Sequence, residues 1–271
     1  MLGAIIGDIA GSRFEWLNIK KKEFELLSSG RCKPTDDSVM SLAVAKAILL
    51  CENDYTCLDK QTIFCMQELG RLYPDAGYGG KFRQWLYDEN PQPYYSFGNG
   101  AAMRVNPCGF AASTLDEALS LADAVTKVTH DHPEGMKAAE ATSSAIYLAR
   151  SGMSMPELRD YIEANYYKID FTLDAIRMTY SFDVTCQGSV PQAFEAFFES
   201  TGFEDAIRNA VSIGGDSDTI AAITGGLAEA YYGIPADLRR QALTFLDKTQ
   251  LDILSAFESK FGIIEEKVTD K

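Results

Sequence analysis

The segment Ile213-Gly214-Gly215-Asp216-Ser217-Asp218-Thr219 decides how this chain is read, together with its counterpart Lys33-Pro34-Thr35-Asp36-Asp37-Ser38. Each crowds two carboxylates and a hydroxyl into a few residues. Each then runs into apolar, Ala-rich sequence of helical period, Val39 to Leu50 in one case and Ile220 to Tyr232 in the other. A carboxylate pair at a helix start is favoured by the helix dipole and by the free N–H groups of the first turn. Either segment alone therefore reads as an acidic helix N-terminus. Two in one chain point further. Four carboxylates with two or three hydroxyls form a hard oxygen donor set, suited to Mg2+ or Mn2+ rather than to a metal that seeks thiolate or imidazole. If the fold brings the four acids together, their repulsion calls for cations.

Working outward, 271 residues suffice for one large domain or two small ones with a real core. Acids outnumber bases 39 to 25, a net charge of −14, which argues against a non-specific nucleic-acid surface. Cys32, Cys51, Cys57, Cys65, Cys108 and Cys186 form no CxxC pair, and no His cluster accompanies them. A chain this size does not need disulfide staples, so they read as free thiols in a reducing compartment. The apolar start from Met1 to Ile6 lacks a basic flank and meets Asp8 early, unlike a signal peptide. No run approaches the roughly 18 apolar residues of a membrane span. The expectation is a soluble cytoplasmic protein that does not engage membranes, with a monomer as the default.

Met1 to Ser12 reads as a short apolar helix with Gly3, Gly7 and Gly11 at four-residue spacing, a pattern for close helix packing. Glu15 follows among large apolar neighbours, where a carboxylate is costly without a partner. Lys20 to Glu25 reads as a solvated charge run. Thr35 is placed to N-cap a helix to Leu50 with Asp36 and Asp37 in its first turn. Further helices are predicted over Gln61 to Leu72, Leu115 to Thr129, Pro133 to about Ser151, Pro156 to Asn165, Leu173 to Tyr180, Val190 to Ser200 and Phe203 to Val211. Another runs from the second acidic segment to Gly233, and Pro235 opens one or two more before the polar tail from Glu265 to Lys271. Strand-like alternation is nearly absent. Neither an internal repeat nor a flexible linker is evident, so residues 1–271 are expected to form one compact all-α domain.

Between these helices, Ser96-Phe97-Gly98-Asn99-Gly100 reads as a loop that permits positive φ and close approach of a ligand to backbone N–H groups, a possible phosphate nest. It lacks the preceding strand of a dinucleotide fingerprint and the Gly-Lys-Ser/Thr of a P-loop. Both histidines, His130 and His132, fall in Thr129-His130-Asp131-His132-Pro133, where one is expected at a ligand and the other at the turn. Tyr78 and the stretch from Asp88 to Tyr95 are candidates for the rim of a site.

Taken in order, Gly7-Asp8-Ile9-Ala10-Gly11 with Glu15, Thr35-Asp36-Asp37-Ser38, Ser96-Phe97-Gly98-Asn99-Gly100 with Met103-Arg104, Thr129-His130 with His132-Pro133, and Gly214-Gly215-Asp216-Ser217-Asp218-Thr219 resemble the ADP-ribosylglycohydrolases over nearly the full length. That family includes dinitrogenase reductase-activating glycohydrolase and the ADP-ribosylarginine and ADP-ribosylserine hydrolases. The resemblance implies a compact multi-helix orthogonal bundle with two divalent cations, Mg2+ or Mn2+. It implies Thr35, Asp36, Asp37, Asp216, Asp218 and Thr219 as metal ligands, and Glu15, Asp37 and Asp218 as candidates for moving the proton. Ser96, Gly98, Asn99, Gly100 and His130 fall on the substrate side. Ser38 stands where many members have Thr, and Phe97 where some have Tyr. The implied reaction is hydrolysis of the glycosidic bond between ADP-ribose and an acceptor. The substrate is then an ADP-ribosylated protein or a small ADP-ribosyl conjugate. Two rivals are a different di-metal phosphohydrolase, which typically brings more His, and a non-catalytic relative that binds ADP-ribose.

Overall fold

A helix that is apolar on every side has to be covered on every side. That holds for α1 (Leu2–Ser12), where every residue from Leu2 to Gly11 is buried. The structure, a computed structural model, describes residues 1–263; the polar tail from Glu265 to Lys271 lies outside the described residues. After α1 come α2 (Asp36–Leu50), α3 (Leu58–Leu72), α4 (Gly80–Leu86), α5 (Gly100–Met103), α6 (Asn106–Ala111), α7 (Leu115–Thr126) and α8 (Pro133–Arg150). The chain continues through α9 (Met155–Asn165), α10 (Leu173–Ile176), α11 (Cys186–Phe198), α12 (Phe203–Ser212), α13 (Ser217–Tyr232), α14 (Ala236–Leu243) and α15 (Lys248–Phe261). Among the described residues there is no β-strand, only one isolated bridge between Gly98 and Thr185. The all-α expectation holds, and the helices share one continuous core.

The pair α1 and α13 forms the axis of the bundle. The α1 glycines face α13 so closely that a Cβ on Gly3 would lie 2.3 Å from the Gly225 carbonyl oxygen, and one on Gly7 only 1.9 Å from that of Ala221. The four-residue glycine spacing thus marks a backbone-to-backbone contact. α13 is buried from Ser217 to Ala230, with α1, α2, α8, α11 and α12 packed around it. Its Ala and Gly content keeps it thin enough for that many neighbours.

Most helix expectations hold to within a few residues. α10 is shorter than the stretch from Leu173 to Tyr180: past Ile176 the chain turns, with the Thr179 and Tyr180 N–H groups both donating to the Ile176 carbonyl, and the Tyr180 carbonyl accepts from Lys20 Nζ at 2.7 Å. α11 begins at Cys186, earlier than Val190: the Thr185 side chain caps it by accepting from the Gly188 N–H, and Pro191 lies inside the helix rather than opening it. α4 and α6 arise in stretches for which the sequence predicts no element, and α5 starts at the end of the glycine loop. All six cysteines are free thiols. Among the described residues no helix is long and apolar enough to cross a membrane.

Candidate metal centre

The close approach of α1 to its neighbours sets the position of Asp8, a carboxylate in the middle of an apolar helix. Its Oδ2 accepts from the backbone N–H of Thr35 at 2.8 Å and of Ser38 at 3.0 Å, and from the Ser38 hydroxyl. Its Oδ1 accepts from the Thr35 hydroxyl at 2.6 Å. Asp8 therefore caps α2 from another helix, satisfying donors that a helix N-terminus leaves free. Thr35, expected to do this with its own side chain, makes no such bond because its hydroxyl is turned to Asp8. The sequence motifs alone assign Asp8 no role. The signal was there, a charge among Ile5, Ile6 and Ile9 that would be costly unless partnered.

With α2 fixed in this way, the two acidic segments meet. Thr219 Oγ1 donates to Asp37 Oδ2 at 3.2 Å, across 182 positions of sequence. Asp8, Asp37 and Asp218 each place a carboxylate oxygen within 4.8 Å of the others, and Glu15, Asp216 and Asp218 form a second triad by the same measure. The triads share Asp218. Asp37 Oδ1 is buried with no hydrogen-bond partner among the described residues. Burial first, then the neighbouring carboxylates, raises the pKa of Asp37 and Asp218 well above the ordinary range. Burial and the Asp216 charge push Glu15 to about 7, and burial with Asp8 takes Asp36 to about 8. Such a site favours neutral acids until positive charge enters. Clustered hard oxygens with one buried oxygen unpartnered fit a divalent cation.

The site residues are not equally disposed. Asp36 belongs to neither triad; it is half-buried, and its N–H donates to the Ala76 carbonyl at 2.9 Å. Asp216 is braced by Asn99, whose Nδ2 donates to its Oδ2 at 2.7 Å and to Ser189 Oγ at 3.1 Å. The amide nitrogen of Asn99 is thereby committed to the acidic cluster. Gly214 and Gly215 adopt φ of +68° and +76°, a left-handed pair that favours glycine. Asn18 clamps this turn, accepting from the Gly215 N–H at 2.8 Å and donating to its carbonyl at 3.1 Å. Lys20 donates to the Ile213 carbonyl at 2.5 Å, so it is a strut beneath the acidic segment and not part of a solvated run.

In the glycine loop, neither Gly98 nor Gly100 has positive φ, contrary to expectation. Gly98 is in extended pairing with Thr185, and α5 starts at Gly100. These glycines provide space: a Cβ on Gly100 would lie 3.3 Å from His130 Nε2, and one on Gly98 3.6 Å. Ser96 Oγ accepts from the Gly98 N–H at 3.2 Å. His130 is buried beside the loop, whereas His132 N-caps α8, its Nδ1 accepting from the Glu134 N–H at 3.0 Å. His132 is thus the histidine at the turn, as an N-cap on the following helix. Tyr78 is buried and packs on Phe82 rather than forming a rim. An aromatic pair that sequence did not single out stands beside Glu15: Trp16, 76% exposed, stacks on Phe182 with ring centroids 5.1 Å apart.

Comparison with known proteins agrees with this geometry. The chain is 26% identical to ADP-ribosylhydrolase ARH3 of Xenopus tropicalis, over 91% of each chain. It is 27% identical to the ADP-ribosyl-[dinitrogen reductase] glycohydrolase of Rhodospirillum rubrum, over 86% of this chain and 84% of that one. With ADP-ribosylarginine hydrolase Tri1 of Serratia proteamaculans it shares 26% identity, over 86% of this chain and 70% of the relative. In fold it superposes on a solved chain of an ADP-ribosylglycohydrolase-related protein complex with a TM-score of 0.71, at 24% identity and covering 97% and 96% of the two chains. The family profile described as ADP-ribosylglycohydrolase matches residues 1–262, and the chain belongs to that family.

Proposed function

We propose that this protein is a metal-dependent hydrolase that cleaves the glycosidic bond between ADP-ribose and an acceptor, reversing ADP-ribosylation. The observation that carries this reading is the meeting of Asp37 and Asp218, with Thr219 between them, in a buried cluster of carboxylates. Thr35, Asp36, Asp37, Asp216, Asp218 and Thr219 would hold two cations, Mg2+ or Mn2+. Bound there, they would supply Lewis acidity toward water and the ribose hydroxyls. Asp8 holds the Thr35–Ser38 segment in place, and Asn99 steadies Asp216. Glu15, half-buried at the edge of the second triad, is placed to take or return a proton, with Asp37 and Asp218 as the other candidates. Ser96, Gly98, Gly100 and His130 would receive the diphosphate and ribose, Asn99 contributing mainly through Asp216.

The substrate would be an ADP-ribosylated protein or small ADP-ribosyl conjugate, as the names of the relatives describe for those proteins. The six free thiols favour action in a reducing compartment such as the cytoplasm. The test is a panel of arginine- and serine-linked ADP-ribosyl substrates, assayed with Mg2+, with Mn2+ and with chelator. Free ADP-ribose should be released only with metal, and Asp218→Asn should abolish release while circular dichroism keeps its helical signature. Release of inorganic phosphate instead would favour a phosphohydrolase. Binding without turnover across the panel would favour the non-catalytic relative.

A further inference from the structure

Arg104 is the bulkiest of the wholly buried side chains, and it lies just past the glycine loop at the end of α5. Among the described residues no carboxylate pairs with it; the titratable groups around it are Tyr94, Cys186 and Cys108, which burial holds in their neutral forms. A buried guanidinium without a counter-ion is costly, so its contacts call for explanation. Nη2 donates to Thr129 Oγ1 at 2.5 Å, lies 3.2 Å from His130 Nδ1, and reaches the Thr126 carbonyl at 3.5 Å.

Those contacts bear on which imidazole nitrogen carries the proton. A guanidinium has only donors. A ring nitrogen facing one of its N–H groups must present a lone pair, so the proton belongs on Nε2. Thr129 Oγ1 lies 2.7 Å from the same Nδ1; it accepts from Arg104, and its own proton is free to point at Nδ1. Burial and the adjacent positive charge both disfavour an imidazolium. The opposite nitrogen, Nε2, faces the space kept open by Gly98 and Gly100.

We infer that Arg104 is a positioning residue that locks His130 as its Nε2–H tautomer, making the ring a fixed, neutral hydrogen-bond donor to a phosphate oxygen of the bound diphosphate. This rests on the reading of the glycine loop as the diphosphate site. A ring free to tautomerise would present a lone pair to the phosphate part of the time.

The chain has only two histidines, so side-chain nitrogen resonances of the intact protein can be assigned by comparison with His132→Gln. Nitrogen-15 spectra of the wild type at neutral pH should show His130 as a single neutral Nε2–H form. A proton on Nδ1, or an imidazolium, overturns the inference without any Arg104 variant. Arg104→Met should mix the tautomers and weaken ADP-ribose binding about tenfold by calorimetry, the scale of one hydrogen bond to a charged group. His130→Ala should lose about as much, and the double variant no more than either single one. Losses that add, or an unchanged tautomer in Arg104→Met, overturn it. If Arg104→Met does not fold, Thr129→Val removes one of the two contacts to Nδ1, and Arg104→Lys keeps a cationic donor; the first should admit a second tautomer and the second should keep the single Nε2–H form. Wild-type protein that does not bind ADP-ribose sinks the proposed function, whereas the tautomer is read from the spectra alone.

Discussion

Asp8 shows how one residue can serve both the fold and the site. Its carboxylate takes four hydrogen bonds from Thr35 and Ser38, tying the start of α2 to the middle of α1. In Asp8→Asn, the amide would point its own donors at N–H and O–H groups. Leaving one or two of those unsatisfied costs about 1–3 kcal/mol each. The substitution also removes a negative charge beside Asp36 and Asp37, which offsets part of the loss when no cation is bound. The expected outcome is a metal-loaded protein less stable by about 1–3 kcal/mol, with a smaller loss under chelation. Urea unfolding in both conditions measures it; a metal-loaded variant as stable as wild type would count against the capping role. At this scale the sequence was half legible. A charge within an apolar helix announced a buried partner, but nothing local to Asp8 named Thr35 and Ser38 as that partner.

Between elements, the contact of α1 with α13 governs how far the acids stand apart. Gly7→Ala gains helix propensity of about 1 kcal/mol, but its Cβ would meet the Ala221 carbonyl at 1.9 Å. Overpacking of that kind costs about 1–3 kcal/mol or more, so the net change is destabilising. Any outward shift of α1 carries Asp8 with it, and turnover should fall along with stability. Gly79→Ala provides the comparison: nothing lies within 4 Å of the added Cβ, and φ is −59°. Its cost should stay below about 1 kcal/mol. Denaturant midpoints of the two variants check the pair, and equal effects would remove the packing argument. The glycine spacing was readable because close helix approach needs small residues at one face. The early start of α11 was not, because Gln187, Gly188 and Ser189 ahead of Val190 carry no apolar repeat, while the cap is Thr185.

Across the whole molecule, the buried acids couple stability to pH and metal. Asp36 rises from its ordinary 3.8 to about 8 and Glu15 from 4.5 to about 7, and burial with neighbouring carboxylates raises Asp37 and Asp218 as well. Groups whose folded pKa lies above the unfolded value bind protons more tightly when folded. They therefore contribute stability at low pH and lose it as pH rises through that window. Under chelation the Tm should fall steadily between about pH 4 and about 8, the span of the Asp36 shift. Adding Mg2+ or Mn2+ should reverse the trend, with the largest rise at the alkaline end, since cations bind the ionised acids. At a hundredfold excess over Kd such binding adds about 2.7 kcal/mol. In Asp216→Asn the metal-induced rise should shrink. A chelated Tm that is flat with pH, or a Tm insensitive to metal, would contradict the cluster.

Local sequence sufficed for the all-α architecture, for most helix limits and for noticing two acidic helix starts. Helical period, capping residues and carboxylate runs act over a few positions and are visible there. The meeting of Asp37 with Thr219 was expected from donor chemistry but could only be realised by packing, because 182 residues separate them and the interposed helices set the distance. Tertiary structure alone decided that Asp8 caps α2, that Asn99 spends its amide on Asp216, and that Arg104 faces His130. Each of these is a hydrogen bond between distant segments, and its partner is selected by where the backbone comes to rest.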